Sequence, residues 1–280
     1  MESRKRKILF VVEGKKKEIS IFNNLSDVFF KGKCEITPVP VPADMNIYML
    51  FDVMKKDDFQ VDVVEVLREK VPVAKEILTN YVRDDFSEVY FFFDFDEQTN
   101  NLHYAKKTDN INVLEEMLKK LDNETELGKL YISYPMVEAF RDFLLGDCQT
   151  ANGSCFRARS DFGTYKKDSG KKIENNRIST YNFPKWKEVI SCYIYRISCL
   201  FKLKNLNRDE FINLISSFSI FQRQMTFYKK EEEIFVLSCL PQFLIDYSEI
   251  YWNDTIKKRK KPINHAKCDI VRTKEKNKTI

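Results

Sequence analysis

Hydrophobic and polar residues follow two periods along the first half of the chain, and these predict strands and helices in turn. Short apolar or alternating runs predict strands, and apolar residues three to four positions apart predict helices with one buried face. The predicted strands are 8–12, 34–41, 88–93 and 129–133. The predicted helical segments are 15–30, 60–82, 110–122 and 137–145. This alternation predicts an α/β fold with a parallel, Rossmann-like sheet, whose ligand site lies beyond the carboxyl ends of the strands.

The character of the sequence changes near residue 147. Residues 146–177 are rich in Gly, Ser, Asn, Asp and Lys, a composition typical of an exposed loop. Helical patterns then return at 186–201, 208–221 and 233–251. We therefore predict a catalytic α/β domain over 1–146, a loop or linker over 147–179, a C-terminal helical lobe over 180–254 and a basic tail over 255–280.

Composition restricts the function classes. The 43% of hydrophobic residues can fill one sizeable core or two modest ones. The formal net charge of +5 comes from 47 basic and 42 acidic residues, which suits a phosphate-binding surface around an acidic metal site. The seven cysteines show no Cys-x-x-Cys pairing, which disfavours a structural zinc site. No Walker or Rossmann glycine loop is present, which disfavours a nucleotide-driven motor.

Localisation follows from two further patterns. No segment resembles a signal peptide or a membrane span, because the first apolar run, 8–12, is short and ends in charged residues. Scattered cysteines without an export signal are typical of a reducing compartment. We therefore expect a cytoplasmic protein that makes no contact with a membrane.

Two acidic motifs stand at the ends of two predicted core strands. Glu13, followed by Gly14, ends the first strand, and Asp94 and Asp96 follow the third. The carboxyl ends of parallel strands share one edge of a sheet, so we expect these carboxylates to converge. Mg²⁺ or Mn²⁺ binds to such carboxylates together with waters and a substrate phosphate. The ion offsets charge on phosphoryl oxygens and activates a water molecule for hydrolysis.

Each motif taken singly also has a structural interpretation. A Glu-Gly pair is common where a strand turns, and an Asp-x-Asp sequence is common in a capped loop. Glu18 and Glu97 are interpreted as helix-start or solvent-facing charges, since acidic residues favour a first helical turn. The order and the strand placement of the two motifs together favour the chemical interpretation.

This combination resembles the Toprim domain of topoisomerases, primases and several nucleases, and the resemblance covers residues 6–146. It implies that Glu13 transfers a proton or binds metal and that Asp94 and Asp96 are metal ligands. The sequence Ser-Tyr-Pro-Met-Val-Glu at 133–138 resembles the Ser/Pro-x-x-Glu element of the OLD-like and PARIS-type phage-defence nucleases. This second resemblance implies that Glu138 binds a second ion. The basic residue of those nucleases has four candidates, which are Lys166, Lys167, Lys171 and Lys172.

We therefore predict a Mg²⁺- or Mn²⁺-dependent endonuclease that acts on DNA or RNA, tRNA included. The resemblance implies the toxic effector of an anti-phage system that an ABC-type ATPase controls. Nothing in lobe 180–254 looks catalytic, so we expect this lobe to be the docking surface for the ATPase. The alternative from another class is a nucleic-acid- or partner-binding protein with a degenerate Toprim site. The sequence leaves open whether the protein forms a homodimer. The tail also offers candidate contacts to nucleic acid, which are Lys257, Lys258, Arg259, Lys260 and Lys261. The alternative is that the tail is an inert, solvated segment.

Overall fold

A computed structural model of the chain describes residues 5–14, 17–42, 47–95, 109–143, 155–171, 177–203, 207–248 and 251–252. The chain divides into two compact units, Met1–Ile132 and Ser133–Ile280. The division lies at the end of the last predicted strand, whereas the change in composition had suggested residue 146. Each unit has its own buried core.

The first unit is built on a five-stranded sheet. Its strands are β1 (Lys7–Glu13), β2 (Glu35–Val41), β3 (Glu88–Asp94), β4 (Asp122–Asn123) and β5 (Gly128–Ser133). Their order across the sheet is β2-β1-β3-β5-β4. β1 pairs in parallel with both β2 and β3, and β4 pairs antiparallel with β5. The mostly parallel sheet confirms the predicted α/β, Rossmann-like class.

Helices connect these strands. They are α1 (Lys17–Leu25), which continues as a π-helix (Ser26–Phe30), α2 (Ile47–Lys56), α3 (Val63–Lys70), α4 (Pro72–Ile77), a 3-10 helix (Arg83–Asp85) and α5 (Asp109–Lys120). Sequence patterns did not predict α2. The single segment predicted over 60–82 is two helices, because Asp62 caps α3 and Pro72, which cannot donate an N–H bond, begins α4.

Aromatic packing holds the two central strands together. Every residue of Ile8–Val12 in β1 is fully buried. The ring of Phe10 packs edge-to-face against Phe92 of β3 and Phe22 of α1, with centroids 5.1 and 5.7 Å apart. Phe92 in turn stacks on Tyr131 of β5 at 5.7 Å. Strands buried on both faces exclude polar side chains from their interiors, so the polar residues of β1 and β3 lie at the strand ends.

The second unit is mainly helical. Its helices are α6 (Phe162–Lys171), α7 (Phe183–Phe201), α8 (Arg208–Leu214), α9 (Ser217–Glu231) and α10 (Cys239–Tyr247), with 3-10 helices at Val137–Asp142, Arg159–Asp161 and Ile178–Thr180. β6 (Phe156–Ala158) and β7 (Glu233–Phe235) form a two-stranded antiparallel sheet. In the part of the chain that the structure describes, no helix is long and apolar enough to cross a membrane.

Two features of the second unit differ from the predicted pattern. The predicted loop 147–179 contains β6 and α6. The predicted helix 233–251 instead begins with β7. Gln224 explains the strand, because its fully buried amide donates to the carbonyl of Phe235 at 2.7 Å and accepts from its N–H at 2.8 Å. A side chain of α9 thus completes the backbone hydrogen bonds of β7 on one side while β6 pairs on the other.

Candidate metal site at the carboxyl edge of the sheet

Glu13 and Asp94 are the last residues of β1 and β3. The chain leaves β1 for β2 on one side and then returns to β3 on the other side of β1. The ends of β1 and β3 therefore form the topological switch point of the sheet, where open α/β sheets bind their ligands. Val12 pairs with Phe92 in register, so the two acidic residues end neighbouring strands at nearly the same height.

A hydrogen bond joins the two residues. The backbone N–H of Asp94 donates to Oε2 of Glu13 at 2.9 Å. The distance is ordinary for an N–H···O bond, and a charged acceptor makes the bond stronger than a neutral one. It holds the Glu13 carboxylate against the end of β3, and both residues are partly exposed. The structure thus brings together two of the residues singled out in the sequence.

Gly14 shapes the turn that follows Glu13. Its φ of +99° is a conformation that residues with a Cβ rarely adopt, and its N–H donates to the carbonyl of Val41 at 2.9 Å. A Cβ at this position would overlap the carboxyl group of Glu18, which stands in the first turn of α1. The Glu18 carboxyl group therefore packs directly on the backbone next to Glu13. The sequence signal for this contact was the spacing, because Glu18 follows Gly14 by four residues.

Several predicted site residues lie outside the described residues. Asp96, Glu97, Lys172 and the whole run Lys257–Lys261 belong to this group. Lys166, Lys167 and Lys171 lie on α6 in the second unit, where Lys167 is exposed. Within the described ranges, no group of three or more His, Cys, Asp or Glu side chains is arranged to hold a metal ion.

The chemistry of the donor set indicates which ion the pair fits. Mg²⁺ commonly uses one or two carboxylates and completes its octahedron with waters and substrate phosphate oxygens. Glu13 and Asp94 supply hard oxygen donors of this kind at a partly exposed edge. A structural zinc ion instead requires four protein ligands, usually cysteine and histidine. The pair therefore fits Mg²⁺ or Mn²⁺.

Glu138 lies in the second unit, on the 3-10 helix Val137–Asp142, and only 1% of its surface is exposed. Two buried groups hold the end of this helix. Arg196 donates to the carbonyl of Asp142 at 2.7 Å, and the hydroxyl of Tyr165 donates to the Asp142 carboxylate at 2.8 Å. Burial, together with the charge of Asp142, raises the pKa of Tyr165, so its hydroxyl stays protonated. The helix that carries Glu138 is therefore firmly anchored within its unit.

Ser133, which begins the Ser/Pro-x-x-Glu element, has a structural partner. It is fully buried, and its hydroxyl donates to Sγ of Cys239 at 3.1 Å and accepts from the Cys239 N–H at 3.1 Å. Cys239 is the first residue of α10, where backbone N–H groups lack helical partners. The Ser133 hydroxyl therefore accepts a hydrogen bond from an N–H group at the start of α10 that has no partner within the helix.

Comparisons with protein-family models, with curated proteins and with solved structures found no match to this chain.

Proposed function

We propose that the protein is a Mg²⁺- or Mn²⁺-dependent nuclease that hydrolyses phosphodiester bonds at the carboxyl edge of the first unit's sheet. The observation that carries the proposal is the hydrogen bond between the Glu13 carboxylate and the Asp94 backbone at the switch point. The resemblance of the Glu-Gly and Asp-x-Asp motifs to the Toprim domain supports it. Asp96, two positions after Asp94, is proposed as a further ligand on the same resemblance.

Glu13, Asp94 and Glu18 each have a chemical role in this proposal. A divalent ion held by Glu13 and Asp94 would neutralise charge on the phosphoryl oxygens and lower the pKa of a bound water. The Asp94 N–H keeps the Glu13 carboxylate at the edge of the sheet before any ion binds. Glu18, whose carboxyl group packs on Gly14, is proposed to accept a proton from the attacking water or to orient it.

The biological part of the proposal rests on the resemblance to phage-defence nucleases. It covers Glu138 as ligand of a second ion, DNA or RNA including tRNA as substrate, and the role of toxic effector. It also covers an ABC-type ATPase that restrains the chain. Expression of the chain in cells without any partner tests the restraint, and strong constitutive toxicity there would contradict it.

Incubation of the purified protein with Mg²⁺ or Mn²⁺ and mixed DNA and RNA tests the activity itself. We expect cleavage that EDTA abolishes and that Glu13→Gln and Asp94→Asn each abolish. Glu76→Gln, at an exposed position on α4, is the matched control and should cleave like the wild type. Binding without cleavage under all these conditions would instead favour a binding protein with a degenerate site.

A further inference from the structure

Three exposed lysines lie at the end of the first unit's sheet opposite the carboxylate pair. Lys5 precedes β1 by two residues, and Lys31 and Lys33 flank Gly32 in the turn that leads into β2. β1 and β2 run parallel, so the chain segments that lead into them both lie at the amino edge of the sheet. We call Lys5, Lys31 and Lys33 the lysine patch.

Strand register places the members of the patch side by side. Lys7 pairs with Glu35, and the carbonyl of Arg6 accepts from the Glu35 N–H at 2.9 Å, so the two strands are still paired where the patch begins. Neighbouring strands are about 4.8 Å apart. Lys5 and Lys33 each stand two residues before this pair, and Lys31 lies in the same tight turn as Lys33, so the three long side chains extend from one edge of the sheet.

The ammonium groups of the patch have no acidic partner among the described residues. The neighbouring cations are engaged differently, because Arg6 pairs with Glu88 and Lys7 lies 4.6 Å from the centre of the Tyr81 ring. Glu35 at the start of β2 and Asp27 on the π-helix before the turn are both exposed and offset two of the five positive charges of Lys5, Arg6, Lys7, Lys31 and Lys33, and Glu88 offsets a third. An excess of positive charge remains, and such clustered cations gain most from a polyanion that neutralises them together.

We propose that the lysine patch is a second contact surface for the sugar-phosphate backbone of a nucleic acid. Lysine is a compact point charge without the fork geometry of arginine, so it suits phosphate contacts that carry no sequence information. Gly32 at the tip of the turn has open space around it, and the turn is exposed throughout, so no large apolar side chain is present there to enter a lipid surface. The choice of nucleic acid rests on the proposed nuclease function.

The separation of the two edges makes the proposal specific. β1 has seven residues, and six steps of about 3.3 Å separate its ends by about 20 Å. A duplex that reaches both edges must therefore extend over roughly six base pairs at about 3.4 Å each. Long substrates are expected to use the patch, whereas a small phosphodiester that reaches only the carboxylates is not.

The test is a triple variant, Lys5→Ala with Lys31→Ala and Lys33→Ala, assayed for oligonucleotide binding across a salt series in EDTA. The matched control replaces three exposed lysines elsewhere with alanine, which are Lys75, Lys229 and Lys230. The slope of the logarithm of the binding constant against the logarithm of the salt concentration should be smaller in magnitude for the patch variant than for the wild type. The difference should be about 2 on a single strand of about 20 nucleotides and nearly 3 on duplex. The affinity of the patch variant at low salt should fall by at least roughly tenfold. Turnover of bis(p-nitrophenyl) phosphate should be unchanged.

Two results would overturn the proposal. One is a salt slope in the patch variant equal to that of the wild type and the control. The other is patch-dependent binding to phosphatidylserine vesicles with no patch-dependent binding to oligonucleotides. Binding is measured without metal, so a test of the lysine patch does not depend on whether the protein is a nuclease. Patch-dependent binding without any cleavage contradicts the nuclease alone, and cleavage with an unchanged slope contradicts the patch alone.

Discussion

Replacing Glu13 with glutamine separates the chemistry of its carboxylate from its structural role. Glutamine keeps an oxygen that can accept the Asp94 N–H bond, now seen at 2.9 Å, and removes the negative charge. Without metal, we expect the free energy of unfolding to change by less than about 1 kcal/mol, since the bond survives and repulsion with the Asp94 carboxylate is relieved. Glu13→Ala removes the acceptor. Because the bond is only partly buried, we expect a loss of about 1–2 kcal/mol.

Added metal should separate the variants further. An ion that binds only the folded state at about 100 times its Kd raises the free energy of unfolding by about 2.7 kcal/mol. Wild-type protein and Glu76→Gln should show a gain of this size in Mg²⁺, and Glu13→Gln should show little or none. Urea unfolding followed by circular dichroism, in EDTA and in Mg²⁺, measures both quantities on the same samples.

Two outcomes would refute this reasoning. If Glu13→Gln gains as much stability from Mg²⁺ as the wild type, the carboxylate is not a ligand. If Glu13→Ala is as stable as Glu13→Gln without metal, the hydrogen bond to Asp94 does not contribute to the fold, and the geometric argument for a prepared site fails.

Two further predictions concern other parts of the chain. Gly14→Ala should lower the free energy of unfolding by about 1–3 kcal/mol, through its φ of +99° and the displacement of Glu18, and should reduce cleavage. Gly32→Ala shares a positive φ but has open space, so an equal loss of stability in both would contradict the role of crowding. Burial raises the pKa of Tyr165 in the folded state, so the stability it contributes is complete below about pH 10 and falls as pH rises. Tyr165→Phe should lower the free energy of unfolding by about 1–3 kcal/mol at neutral pH. Above about pH 10, the free energy of unfolding of this variant, measured in urea, should decrease less steeply with pH than that of the wild type, and an equal decrease would contradict this.

The central strands and the acidic residues at their ends were predictable from the sequence. Strands buried on both faces need continuous apolar runs, and Ile8–Val12 and 88–93 are such runs. Polar residues are then forced to the ends of these strands, so Glu13 and Asp94 could be assigned to one edge before any contact was known. The helix break inside 60–82 was also present in the sequence, as Asp62 and Pro72, although the single predicted segment passed over it.

Only the tertiary structure decided the features that depend on distant partners. β6 lies in a polar segment, and it is a strand because β7, far along the chain, pairs with it and Gln224 completes the backbone hydrogen bonds of β7. Glu18 looks like any acidic residue in a first helical turn, and the absence of a Cβ on Gly14 leaves the space in which its carboxyl group packs on the backbone beside Glu13. Local composition and periodicity report which face of an element is buried, whereas the partner that buries it is chosen by the whole chain.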